Sequence, residues 1–312
     1  MRSRHSGAVT RAALKHGLTS GRSCSVLLAL MMGIGSASCT SGPQRVYVAG
    51  EYNAFSMLSP ARRMVYGTVY LPPGWVPEAQ HDYPLLVFLG SRQRGYPNVA
   101  PEFYPSDSLN HWIATEAVPP IVIVEVEFAT VAGEAELWSS ERNEAFLTSD
   151  SRRELRAVCR QRFGAGGSAS VTSMQGFSFG AAGALHYALA FPDSFASVVS
   201  DAFVGDDVLE EERSSALVHL ADIRESSLRL RMSIGSKDEF VLQRGRQATY
   251  VMHDLLDNLD IPHELEVVSG VGHDAGQISR HKRPNGPSSV GLHELQFHAR
   301  AWAGARPAAP PT

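Results

Sequence analysis

Between residues 46 and 304 the chain alternates two kinds of pattern. Short apolar runs come first: Pro84 to Leu89 and Ile121 to Val126 are long enough for a strand and too short for a helix. Such runs suit strands buried on both faces, as in a parallel sheet. Met64 to Leu71 alternates instead and ends at the turn Pro72-Pro73-Gly74. Val171 to Gln175, Ser197 to Ser200, Leu228 to Ile234 and Leu265 to Val268 complete the predicted strands. Helical spacing fills the intervals, over Ser106 to Thr115, Asn143 to Arg162, Ala181 to Phe191 and Gly245 to Leu259. A last helix, Val290 to Trp302, places Leu292, Leu295, Ala299 and Trp302 on one face. Alternating strands and helices predict an α/β fold with a mainly parallel sheet covered on both sides. Ligands of such folds bind at the carboxyl ends of the strands.

With 44% hydrophobic and 19% charged residues, the 312-residue chain suits a globular core rather than disorder. The net charge of −4 conceals an asymmetry. Residues 1–38 hold Arg2, Arg4, Arg11, Lys15 and Arg22 and no acid, so the remainder carries 23 basic against 32 acidic residues, or −9. That balance argues against a nucleic-acid partner. A basic start, the apolar run Val26 to Ile34 and small residues up to Ser38 read as an export signal over 1–38. The run is too short to span a bilayer, which needs about 20 apolar residues. Ser36-Ala37-Ser38-Cys39 resembles a lipobox, with Cys39 the lipidation candidate and a membrane anchor, although Ser36 stands where an aliphatic residue is usual. Plain cleavage after Ser38, giving a secreted protein, is the alternative. A linker over 39–45, a body over 46–304 and a Pro/Ala-rich disordered tail over 305–312 complete the division. Cys159 is the one cysteine of the body and reads as a small apolar filler on a helix.

The chemistry concentrates in Gly176-Phe177-Ser178-Phe179-Gly180, a G-x-S-x-G between a predicted strand and a predicted helix. A serine on so sharp a turn stands clear of the sheet with its hydroxyl exposed. It needs a base within hydrogen-bond reach, and the base needs a partner that holds its tautomer. Asp238 follows the strand ending near Ile234, and His273 follows the strand ending at Val268. Both fall past strand carboxyl ends, on the same sheet edge as Ser178. Glu239 is the rival acid, with Asp206 and Asp207 weaker ones. Two backbone donors are expected for an oxyanion: Phe179, next to the nucleophile, and Ser91, in the Gly90-Ser91-Arg92 loop. No H-E-x-x-H, paired C-x-x-C or dinucleotide fingerprint appears, so no metal and no cofactor is expected.

Four segments resemble the esterase-D and feruloyl-esterase branch of the α/β-hydrolases. They are Val69 to Gly74; Gly176 to Gly180 with Phe191-Pro192-Asp193-Ser194-Phe195; Gly235 to Phe240; and Ile261 to Leu265 with Gly270 to Asp274. The resemblance implies an α/β-hydrolase fold and a serine carboxylesterase, with Ser178 as nucleophile, Asp238 as acid and His273 as base. The family's usual His-Gly after the third strand is Leu89-Gly90 here, and its S-M-G-G elbow is Ser178-Phe179-Gly180-Ala181. The interval Asp201 to Leu228, where a lid usually sits, is short and predicts one charged helix over Asp207 to Leu220 and an open cleft. The expected partner is a small-molecule or polysaccharide-linked ester. Arg280, His281, Lys282 and Arg283 are candidates to meet an anionic substrate group, and Tyr104, Phe128 and Trp138 to border the cleft. A mycolyltransferase-type acyltransferase and a non-catalytic hydrolase-like binding module are the rival readings.

Overall fold

The computed structural model describes residues 47–76, 82–90, 99–127, 130–131, 134–135, 138, 140–149, 151–203, 216–239, 248–284 and 288–305. The chain divides into two units, Met1–Arg45 and Val46–Thr312, and every described residue lies in the second. The predicted export signal, Cys39, the linker, Ser91, Phe128, Asp206, Asp207 and the tail beyond 305 lie outside the described residues.

An eight-stranded sheet forms the centre, in the order β1-β2-β4-β3-β7-β8-β9-β10. Its strands are β1 (Tyr52–Ser59), β2 (Arg63–Tyr70), β3 (Leu85–Leu89), β4 (Val122–Val126), β7 (Thr172–Phe177), β8 (Ser197–Asp201), β9 (Arg229–Gly235) and β10 (His263–Val268). β1 and β2 pair antiparallel, β2 joins β4 antiparallel, and the remaining pairs are parallel. A separate two-residue hairpin pairs β5 (Thr130–Val131) with β6 (Glu134–Ala135). The helices are α1 (Val99–Phe103), α2 (Ser106–Ala114), α3 (Glu141–Thr148), α4 (Leu155–Phe163), α5 (Phe179–Ala190), α6 (Leu220–Glu225), α7 (Ala248–Asn258), α8 (Ala275–Arg280) and α9 (Val290–Ala305). This is the α/β-hydrolase fold.

The period-2 geometry of a strand explains the apolar runs. Leu85, Val87 and Leu89 of β3 point into one core with Phe146, Leu185 and Met252 of α3, α5 and α7. Leu86 and Phe88 point into the other with Phe103, Leu109, Ile278 and Trp302 of α1, α2, α8 and α9. A strand with helices on both faces favours apolar residues along its whole length, and β3 has them at every position.

Several elements depart from expectation, and α1, α8 and the β5–β6 hairpin are among those the sequence pattern does not predict. The predicted helix Asn143 to Arg162 is two helices, α3 and α4, with an extended residue at Ser149. The interruption follows from local competition for backbone groups: the Ser149 hydroxyl accepts from the Ser151 N–H at 3.1 Å. Glu154 then turns inward, where its carboxylate accepts from the Ser59 hydroxyl at 2.7 Å and the Ala61 N–H at 3.3 Å. β1 too was not predicted; it buries Phe55 and Met57 on one face and leaves Leu58 67% exposed, a pattern too weak to read alone. Of the helix predicted over Asp207 to Leu220, residues 207–215 lie outside the described ones, and residues 216–218 are helical just ahead of α6.

Candidate active site

β7 delivers Ser178 at the top of the sheet and α5 leaves immediately behind it. Ser178 adopts φ 58° and ψ −115°, a region in which a side chain costs about 1–3 kcal/mol. The surroundings enforce it. The Ser178 N–H donates to the Asp201 carbonyl at 2.9 Å, and the Ser178 carbonyl accepts from the Ala181 N–H at 3.1 Å. Two glycines make the turn sterically feasible: a Cβ at Gly176 would lie 2.0 Å from the Gly180 carbonyl oxygen, and one at Gly180 would lie 2.0 Å from that of Leu89.

Asp238 and His273 come from the two loops after β9 and β10. Parallel pairing of these strands brings the loops side by side, and backbone hydrogen bonds fasten them together. The Ser236 N–H donates to the Val268 carbonyl at 2.9 Å, and the Lys237 N–H to the Val271 carbonyl at 2.8 Å. Asp238 is thereby held 1% exposed, while Glu239, the rival acid, points to solvent. His273 Nδ1 lies 2.8 Å from Asp238 Oδ2, and His273 Nε2 lies 2.8 Å from Ser178 Oγ. One tautomer satisfies both contacts: Nδ1–H donates to the carboxylate, and the serine hydroxyl donates to Nε2. The Phe177 ring packs against the imidazole with centroids 4.8 Å apart, which restricts its rotation.

This linked serine, imidazole and carboxylate lie within residues 61–276, the stretch that matches the family model described as "Putative esterase". The chain belongs to this esterase family. It is an enzyme acting on ester bonds. Solved structures similar to it include a ferulic acid esterase with a TM-score of 0.63 at 18% identity, over 80% of this chain and 97% of that one. An S-formylglutathione hydrolase from Agrobacterium tumefaciens has a TM-score of 0.56 at 18% identity, over 80% and 95% of the two chains. The ferulic acid esterase of Anaeromyces mucronatus has a TM-score of 0.56 at 16% identity, over 78% and 92%. No curated protein matches the sequence.

In the esterase, Phe179 opens α5, so its N–H belongs to the first turn, at the positive end of the helix dipole. The second expected donor, Ser91, lies outside the described residues. Its neighbour Gly90 is committed elsewhere, since the Gly90 N–H donates to the Val126 carbonyl at 3.1 Å. Tyr104 and Trp138 are 0% and 2% exposed, so both pack inside the protein instead of bordering a cleft. Arg283 Nε donates to Glu266 Oε1 at 3.0 Å, which ties that residue to β10.

Beneath the site runs a buried polar network that no sequence motif signals. Asp201, at the end of β8, accepts from Gln175 Nε2 at 2.6 Å and from the Ser233 hydroxyl at 2.5 Å. Gln175 Nε2 also donates to Glu294 of α9 at 3.0 Å, and Gln175 Oε1 accepts from the Tyr104 hydroxyl at 2.5 Å. Burial, and then the neighbouring Asp201, push the Glu294 carboxyl well above the usual range. A protonated Glu294 relieves the repulsion between the two buried carboxyls, and the positive charge of Arg231 favours the ionised form of Asp201. The network joins β7, the strand that delivers Ser178, to β8, β9 and α9. Glu125 of β4 is a second buried acid, accepting from the Val99 N–H at 3.0 Å and the Ala100 N–H at 3.3 Å. Burial raises its pKa to about 7.

Proposed function

We propose that this esterase is a serine carboxylesterase working through an acyl-enzyme. The reading rests above all on the two 2.8 Å contacts that run from Ser178 through His273 to Asp238. His273 Nε2 takes the hydroxyl proton as Ser178 Oγ attacks the ester carbonyl carbon. The carbonyl oxygen becomes an oxyanion, received by the Phe179 N–H and a donor from the loop around Ser91. The intermediate collapses, the alkoxide leaves with the proton from His273, and the acyl group stays on Ser178. Water then attacks the acyl-enzyme with His273 again as base, releasing the acid and restoring the serine. Asp238 keeps the imidazole proton on Nδ1 and offsets the charge of the imidazolium in both halves. The similar ferulic acid esterases make feruloyl esters the first substrates to test, beside p-nitrophenyl esters of graded chain length and S-formylglutathione.

Ser178→Ala tests the mechanism. It is expected to lower kcat by at least ~10⁴-fold while circular dichroism shows an intact fold. Near-native turnover would refute the acyl-enzyme on Ser178.

The sequence supports export as well, through residues 1–38, with lipid attachment at Cys39. Among the described residues no helix is long and apolar enough to cross a membrane. Metabolic labelling with a fatty acid in a bacterial host is expected to mark the protein and to fail for Cys39→Ala. Label retained in that variant would refute lipidation there.

A further inference from the structure

At the end of β10 away from Ser178, three metal-competent side chains converge. His253 and Asp257 stand one turn apart on α7, and His263 opens β10 beside them. Their donor atoms all lie within 4.8 Å of one another. His253 Nδ1 is 2.6 Å from His263 Nε2. Asp257 Oδ2 is 3.6 Å from His253 Nε2, and Asp257 Oδ1 is 3.8 Å from His263 Nε2.

Hydrogen bookkeeping shows which lone pairs the cluster can offer. His263 Nδ1–H donates to the Ile261 carbonyl at 2.8 Å, which leaves a lone pair on Nε2 facing the other two groups. A neutral His253 carries one ring proton. It can place that proton toward His263 or toward Asp257, not toward both. With the proton on Nδ1 the 2.6 Å contact to His263 is satisfied, and Nε2 faces Asp257 at 3.6 Å, beyond hydrogen-bond reach; a second ring proton or a bound cation would engage the carboxylate as well. A divalent cation among the donors satisfies them together. The Ile261 contact is also the outer bond that metal-ligating histidines ordinarily make, fixing ring orientation and tautomer. It is preorganised, because the Ile261 N–H donates to the Leu256 carbonyl at 2.9 Å and so holds the turn between α7 and β10. The His263 side chain is 2% exposed, whereas Asp257 is 64% exposed, so the cluster has a rigid inner ligand and an open side for entry and for water.

We propose that His253, Asp257 and His263 form a binding site for a divalent transition metal of the zinc type, with water completing the coordination. Two imidazoles and one carboxylate are borderline donors that suit zinc, nickel or copper and disfavour calcium or magnesium. Ligand atoms around tetrahedral zinc lie about 3.3 Å apart, given bonds of about 2.0–2.1 Å, so a small opening of the His253–His263 contact seats the ion. Bound metal would cross-link α7 to β10, the strand that leads into the His273 loop. The site takes no part in the ester chemistry.

Equilibrium dialysis of the full chain against zinc, with bound metal measured directly, tests the assignment. His273→Ala serves as the control for metal held by the catalytic imidazole. The wild type and His273→Ala are expected to share one zinc at the same affinity. His253→Ala and Asp257→Asn, both on the partly exposed face of α7, are expected to weaken it at least ~10-fold. Zinc at a hundredfold excess over its dissociation constant is expected to raise the wild-type Tm by about 5 °C and leave that of His253→Ala unchanged. Ester hydrolysis by His253→Ala is expected to match the wild type. The proposal is overturned if the wild type takes up no zinc, if His253→Ala binds it equally well, or if only His273→Ala loses it.

Discussion

Replacing Asp238 by Asn keeps the shape of the side chain and removes its charge. The carboxylate is 1% exposed and its Oδ2 sits 2.8 Å from His273 Nδ1. When His273 accepts the serine proton, a positive charge appears at that separation. With an effective dielectric constant of about 20, the attraction is on the order of 6 kcal/mol. At about 1.4 kcal/mol per decade, its loss corresponds to roughly 10⁴-fold in kcat/KM. An amide that turns its NH₂ toward Nδ1 adds a second effect, because the imidazole proton then moves to Nε2 and blocks acceptance from Ser178. Steady-state hydrolysis of p-nitrophenyl acetate measures the loss, with near-ultraviolet circular dichroism to confirm the native fold. Glu239→Gln, on the exposed neighbour, is expected to leave the rate within about twofold. A loss below ~10-fold for Asp238→Asn, or an equal loss for Glu239→Gln, would refute Asp238 as the partner of His273.

Gly180→Ala is expected to destabilise the protein by about 1–3 kcal/mol in urea titration and to lower kcat further, since its Cβ would meet the Leu89 carbonyl oxygen at 2.0 Å. Wild-type stability and rate would show that the elbow is looser than the geometry implies. Glu125 supplies a pH dependence. Its carboxyl binds a proton more tightly in the folded state, about 7, than its ordinary value of 4.5. Its stability contribution is therefore present in full below pH 4.5 and is lost as pH rises to about 7, with no further change above. Glu125→Gln is expected to flatten that part of the profile in urea midpoints taken across the interval, and an unaltered slope would exclude Glu125 as its source.

The legible parts of this chain were those with a local signature. β3 was readable because strict burial on both faces leaves no polar position, and the elbow because its glycines are demanded by backbone contacts under 3 Å. Asp238 and His273 stand out because each follows a strand end, in the chain order that the serine elbow leads one to expect and the family resemblance supports. Their 2.8 Å contacts depend on the parallel register of β9 with β10, which no single segment encodes. The same reason hid the buried network. Gln175, Asp201 and Glu294 come from three elements and look ordinary one at a time, and Glu125 is hidden by the apolar run around it. The break between α3 and α4 is not legible because Glu154 reads as a helix former until its partners Ser59 and Ala61 are known. The His253, Asp257 and His263 cluster matches no short motif, since a strand supplies its third donor.

The most direct test of the catalytic account is covalent labelling of the active protein with a fluorophosphonate, read by intact mass and peptide mapping. One adduct per chain is expected, located on Ser178, with labelling abolished in Ser178→Ala and strongly slowed in His273→Ala. An unlabelled native protein, or an adduct on another residue, would contradict it.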